Sequence, residues 1–114
     1  MSGGSPADLD LRYDRLLANL GRGIELYHRY EVTPWEQWLR KARAEIVAGD
    51  AHGLAYMLSA YGGMVSINDL YICPWNGHPV AEGRWERVTD LHDEITEAIY
   101  EDVTALIRYY EEDT

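Results

Sequence analysis

Three side chains near the middle of the chain are of types that could carry out covalent catalysis. Asp69, Cys73 and His78 follow one another within ten residues, and a thiol paired with an imidazole can act as the nucleophile of a hydrolase or transferase. A lone cysteine is, however, more often a small buried hydrophobe, and an aspartate in this context suits a turn or a cap. We therefore expect no enzyme activity and keep a small hydrolase or transferase as the alternative.

Neither the histidines nor the glycines are spaced to bind a metal ion or a nucleotide. The four histidines match no zinc-binding spacing: His28, His52, His78 and His92. The glycines at 21–23 and 62–63 lack the preceding strand that a phosphate-binding loop needs. The sequence thus predicts neither a metal site nor a cofactor.

The net charge of -10 is concentrated in the last third of the chain. Residues 1–81 contain nine acidic and seven basic side chains, whereas residues 82–114 contain eleven acidic and three basic ones. Binding of DNA or RNA normally needs a basic surface, because phosphate contacts supply much of the affinity. We expect neither a nucleic acid nor an anionic membrane as a partner.

Carboxylates line one side of the predicted C-terminal helix. Asp93, Glu97 and Glu101 are spaced four apart, Asp90 and Glu94 flank them, and Asp102 lies nearby. Like charges at this spacing weaken an isolated helix slightly, so the pattern does not serve helix stability. It indicates either a solvated face whose first acids favour the helix dipole, or a surface that attracts a basic protein.

The irregular stretch before this segment offers two further contact candidates. Trp75 follows Pro74, where a large aromatic side chain is a typical interface anchor, although packing over the end of a helical bundle is an equal alternative. His78 lies three residues further on. We group both with Asp90, Asp93, Glu94, Glu97 and Glu101 as the candidate partner-binding residues.

The spacing of apolar residues predicts an all-α fold, an antiparallel bundle of about four helices. Helices are expected at about residues 7–30, 33–48 and 51–61, followed by one irregular loop over 62–82 and a long C-terminal helix. Its apolar stripe includes Leu91, with Val88 and Trp85 as an extension toward the N-terminus. Two glycines could break the first helix after Leu20. Thr33 and Glu36 have the spacing of a capping box. Residues 1–6 are expected to be flexible, and 7–114 to form one domain.

Nothing in the sequence directs the chain to a membrane or an oxidising compartment. The first residues contain neither a basic segment nor an apolar one, and no apolar run approaches the roughly 18 residues of a membrane span. A single cysteine excludes an internal disulfide. The expected location is the cytoplasm.

The run from Ala60 to Leu70 resembles a motif of an uncharacterised bacterial domain family, Gly-Gly-Met-x-Ser-x-Asn-Asp-Leu. As in that family, a Trp-x-x-Trp-Leu helix at 35–39 precedes a Gly-Asp turn at 49–50, and the resemblance covers roughly residues 35–75. Val65 stands where family members often have glycine. The motif, which we interpret first as a structural corner, consists of Gly62, Gly63, Met64, Ser66, Asn68, Asp69 and Leu70.

Proteins of this style resemble immunity proteins, which neutralise a secreted bacterial toxin. The resemblance therefore implies a small cytosolic inhibitor that occludes the active site of a toxin with a basic surface. It assigns no role to any residue. Besides the enzyme considered above, a self-associating structural bundle is a second alternative to the inhibitor.

Overall fold

The computed structural model describes residues 6–62 and 66–112, the side chains of residues 6, 7 and 112 excepted. The part of the chain that it describes is helical and contains no strand, and its four α-helices are α1 (Pro6–Arg29), α2 (Thr33–Val47), α3 (His52–Ser59) and α4 (Trp85–Glu112). Two short 3-10 turns, Ile67–Asp69 and Pro74–Asn76, lie between α3 and α4. The all-α prediction is confirmed. No helix within the described ranges is both long and apolar enough to cross a lipid bilayer.

The first helix starts at Pro6, inside the segment predicted to be flexible, and it is not interrupted after Leu20. The remainder of that segment, residues 1–5, lies outside the described residues. Gly23 is buried where α1 crosses α2, and a Cβ atom there would lie 2.6 Å from Cδ1 of Leu39. The glycine therefore permits close packing between helices instead of ending one.

The second helix begins differently from the prediction. Its N-cap is Val32, without a side-chain cap, so Thr33 is already helical. Glu36 does not reach back to the cap; its carboxylate lies 3.0 Å from Nε of Arg40 and 3.3 Å from Nδ1 of His28. The helix ends as expected, because Gly49 has a left-handed φ of 79° that favours glycine.

The turn after α3 forms the corner that the motif predicts. Ser66 and Asp69 make a capping box around the first 3-10 turn, and the backbone N–H of Ile67 donates to the carbonyl of Ala60 at 2.9 Å. This last bond ties the turn to the end of α3. Gly63 and Met64 of the motif lie outside the described residues, as does Val65.

α4 packs antiparallel to α1. Near one end of the pair the hydroxyls of Tyr13 and Tyr110 are 2.8 Å apart, and near the other the Tyr27 hydroxyl lies 2.8 Å from Nε2 of His92. α2 packs on α1 and α3, and α3 also packs on α4, which completes the bundle. Its most deeply buried apolar side chains include Leu16, Leu20, Leu39, Met57, Ile67, Ile72, Ile99, Val103 and Leu106.

The predicted apolar stripe of α4 is wrong at Leu91, whereas its extension to Val88 is confirmed. Leu91 is 37% exposed, whereas Val88 and His92 are buried. The core-facing positions of a helix advance by 3.6 residues, and the stripe Val88, Ile95, Ile99 places His92, not Leu91, on the inner side. A histidine thus occupies a core position that hydropathy alone would not assign to it.

Candidate protein-binding surface

Four carboxylates form a continuous strip on the solvent side of α4, which we call the α4 acidic face. Its residues are Asp90, Glu94, Glu97 and Glu101, all of them exposed. In helical projection they fall within an arc of roughly 60°, and they extend over about 17 Å of the helix axis. The apolar stripe of α4 faces the opposite way, so the core of the bundle fixes the direction in which this face points.

The charge of the α4 acidic face is not compensated within the described part of the chain. None of its four carboxylates forms an ion pair with a described side chain. Two arginines of α4, Arg87 and Arg108, fall on the same side in helical projection and lie before and after the strip. Four like charges on neighbouring helical turns repel one another by a few tenths of a kcal/mol per pair, so the face costs the isolated protein a little stability.

Asp93 and Asp102 stand apart from the face. The Asp93 side chain is 50% exposed, and its Oδ1 lies 3.2 Å from Nδ1 of the buried His92. Asp102 is 4% exposed, and its Oδ1 accepts hydrogen bonds from Arg12 at 2.9 Å and Arg15 at 3.0 Å. Asp102 therefore joins α4 to α1 and offers no surface to a partner.

Trp75 is exposed but lies away from the α4 acidic face. Its side chain is 67% accessible, and its ring meets the ring of Trp85 edge-on with centroids 5.1 Å apart. Trp85 shares the inner side of α4 with Thr89 and His92, at i+4 and i+7. The structure therefore does not bring Trp75 together with the acids; Trp75 caps one end of the bundle and keeps an open ring surface.

His78 serves the loop itself. Its Nδ1 accepts a hydrogen bond of 3.1 Å from the backbone N–H of Cys73, and its own backbone N–H donates to the Cys73 carbonyl. The Cys73 side chain is buried. The Asp69 carboxylate accepts from the amide and hydroxyl of Ser66. Among the described contacts, none joins the Asp69 carboxylate to the His78 ring, and none joins that ring to the Cys73 thiol, so this geometry does not favour the enzyme hypothesis.

Thr89 of α4 forms hydrogen bonds with the loop. The Thr89 hydroxyl accepts from the N–H of Ile72 at 3.1 Å and lies 3.3 Å from the Ile72 carbonyl, to which it donates. On the outer side, the Asn76 amide donates to the carbonyl of Tyr71. These bonds position Trp75 at the N-terminal end of α4.

The other motif residues that the structure describes lie in the corner between α3 and the loop. Gly62 is exposed after the end of α3, and Asn68 is exposed within the first 3-10 turn. Leu70 is half-buried and packs against the core. With the Ser66–Asp69 cap, these positions fit a corner that joins α3 to the loop.

The described helices form a small bundle with an acidic face on the outer side of α4. Residues 28–81 match the model of a family described as Domain of unknown function (DUF6966). The match covers the end of α1, both middle helices and most of the loop, and it includes the run 60–70 that carries the resemblance noted above. It fits an uncharacterised domain family. Comparison with curated proteins and with solved structures found no match.

Proposed function

We propose that this chain is a protein-binding domain of the immunity type, which docks its α4 acidic face on the basic active site of a bacterial toxin and blocks it. The observation that supports this most directly is the face itself: Asp90, Glu94, Glu97 and Glu101 are exposed, aligned and unpaired within the described structure. A charge strip that the fold does not neutralise is available to a partner of opposite potential.

The α4 acidic face is rigid and charged, and both properties favour rapid docking. It lies on a 28-residue helix whose inner side is packed along its length, so little conformational entropy is lost when a partner binds. Complementary charge accelerates the encounter of two proteins and suppresses wrong partners. The toxin sites that fit this face are those that carry lysine and arginine to hold a phosphate or a nucleotide.

Trp75 is a second contact in this proposal, separate from the acids. An exposed tryptophan beside a rigid helix end can fill a pocket of a partner. Because Trp75 does not lie on the α4 acidic face, a partner would have to extend around the end of α4 to touch both. Trp75→Ala should then accelerate dissociation, while charge reversals on α4 should slow association.

The first experiment asks whether the chain protects a cell. The product of the open reading frame next to this gene would be expressed in a bacterium, with and without the chain. We expect growth arrest without it and recovered growth with it. A neighbouring product that is harmless, or that remains toxic in the presence of the folded chain, would contradict the immunity assignment.

The second experiment tests the surface. Glu97→Lys with Glu101→Lys would be compared with Glu25→Lys and Glu31→Lys, which make the same change of net charge at exposed positions outside α4. Association with the purified toxin should slow roughly 10- to 100-fold at low salt for the α4 pair only, with unchanged helicity by circular dichroism. Equal effects of the two pairs would show that net charge matters and the α4 acidic face does not.

A further inference from the structure

A cavity of about 750 Å³ lies at the end of the bundle where α4 ends, far from the loop that carries Trp75. All four helices contribute to its lining, together with the turn between α2 and α3. Clefts of about 300–1,000 Å³ are typical of small-molecule sites. The cavity thus has the volume of a ligand site at a place that the proposed docking does not use.

One wall of the cavity is apolar. Leu17 from α1, Ile46 and Val47 from α2 and Leu54 from α3 line it. Val47 is 60% exposed although it sits beside buried Ile46 and Leu54, so apolar surface that could be covered is left open to water. Removing such surface from water is favourable.

The other lining groups are negative. Asp10 and Asp14 stand one helical turn apart on α1, and Asp50 lies in the turn before α3. Neither Asp10 nor Asp14 has a hydrogen bond or ion pair with a described side chain, and no basic side chain is among the lining residues. Asp50 accepts from the backbone N–H of His52 at 2.9 Å.

Two tyrosines complete the lining. The hydroxyls of Tyr13 and Tyr110 are hydrogen-bonded at 2.8 Å. Burial, with the bond to Tyr110, raises the pKa of Tyr13 well above its usual range, so this phenol stays neutral at physiological pH. The cavity therefore combines carboxylate charge, apolar surface and aromatic rings, and such rings attract cations through their faces.

We propose that this cavity binds a small organic cation, a protonated or quaternary amine on an apolar body. The apolar body would cover the wall formed by Leu17, Val47 and Leu54, and the ammonium group would lie between Asp10 and Asp14. A fatty acid of the same shape would be repelled by those carboxylates. A simple metal ion would leave the apolar wall uncovered.

The direct test is a titration of the ¹⁵N-labelled chain, followed by amide chemical shifts, with octyltrimethylammonium below its micelle-forming concentration. Matched probes are octan-1-ol (body without charge), octanoate (opposite charge), tetramethylammonium (charge without body) and Mg²⁺. We expect saturable shifts at Leu17, Val47 and Leu54 for octyltrimethylammonium, and at least tenfold weaker binding of every other probe. Equal binding of octan-1-ol or of Mg²⁺, or shifts confined to α4 residues 90–101, would overturn the proposal.

Two variants distinguish the contribution of the carboxylates to binding from that of the apolar wall. Asp10→Asn with Asp14→Asn should weaken binding roughly three- to tenfold, as expected for the loss of two partly exposed ion pairs. Glu25→Gln with Glu31→Gln makes the same change of net charge away from the cavity and should leave binding unchanged. Val47→Trp should block the wall with all the carboxylates in place. If binding survives Val47→Trp, or if both charge pairs weaken it equally, the cavity is not the site.

Discussion

The hydroxyl of Tyr27 and Nε2 of His92 meet at 2.8 Å in the interior, where α1 crosses α4. Nδ1 of the same ring lies 3.2 Å from the Asp93 carboxylate, which can only accept when ionised. Nδ1 is then the protonated nitrogen, and Nε2 accepts the proton of the tyrosine hydroxyl. A neutral imidazole thus fills a core position with both nitrogens satisfied.

The buried imidazole makes stability depend on pH. Burial lowers the pKa of His92, and the Asp93 carboxylate only partly opposes this. The unfolded chain, whose histidine titrates near 6.5, therefore takes up a proton more readily than the folded one. Stability contributed by neutral His92 should be present above about pH 6.5 and be lost as the pH falls below it, at up to about 1.4 kcal/mol per pH unit.

Urea unfolding of the chain and of His92→Gln between pH 5.5 and 7.5 would measure this dependence. In the variant, the free energy of unfolding should change less steeply with pH, because the His92 contribution is gone. This holds whatever the absolute stability of the variant is. The other histidines remain in both proteins, so their effects cancel in the difference between the two slopes. Identical slopes would show that His92 does not resist protonation in the folded state.

Asp102 should contribute more to stability than its neighbour Glu101. Asp102→Asn removes the charge that holds Arg12 and Arg15, and we expect a loss of about 1–3 kcal/mol in the free energy of unfolding. The loss is limited because the two arginines are partly exposed and can be rehydrated. Glu101→Gln, on the α4 acidic face, should change stability by less than about 0.5 kcal/mol. Thermal unfolding of the two variants decides the comparison.

Two glycines should respond to alanine with opposite signs. A Cβ atom at Gly53 would lie 2.9 Å from the backbone nitrogen of Ile46, whereas one at Gly21 would meet nothing within 4 Å. Gly53→Ala should destabilise by about 1–2 kcal/mol, because overpacking against backbone outweighs the gain in helix propensity. Gly21→Ala should stabilise by up to about 1 kcal/mol. Denaturation midpoints that move in the same direction would contradict the packing of α3 on α2.

Thr89 should control how firmly the loop is held. Thr89→Val keeps the side-chain shape but leaves both polar groups of the Ile72 backbone without their partner, at a cost of about 1–3 kcal/mol. The Ile72 amide should then exchange its hydrogen at least about tenfold faster. Thr104→Val is the control, because that hydroxyl contacts only carbonyls of its own helix. Unchanged exchange at Ile72 would show that other contacts hold the loop.

Most of the fold was predictable because its determinants are local in the sequence. The apolar spacing placed all four helices, the Gly-Asp turn at 49–50 ended α2, and the motif at 62–70 predicted the corner that the structure contains. Where a local prediction failed, the side chain makes a different contact in the folded bundle. Glu36 pairs with His28 and Arg40 instead of capping its helix.

The candidate sites were only partly predictable, because their members come from distant parts of the chain. The periodicity of α4 is sufficient to align Asp90, Glu94, Glu97 and Glu101. It cannot show that Asp102 is neutralised by Arg12, ninety residues earlier. The cavity needs the same kind of information: Asp10, Tyr13, Asp14 and Leu17 share one side of α1, but only the assembled bundle shows that this side meets the corner between α2 and α3.

The contact between Tyr13 and Tyr110 implies an order of folding. These hydroxyls are 97 residues apart in the chain, whereas His28 and Glu36, which connect α1 and α2, are separated by eight. Closing the longer loop costs about 2 kcal/mol more chain entropy. The hairpin of the first two helices should therefore already be present when folding crosses its rate-limiting barrier, and α4 should dock along α1 late.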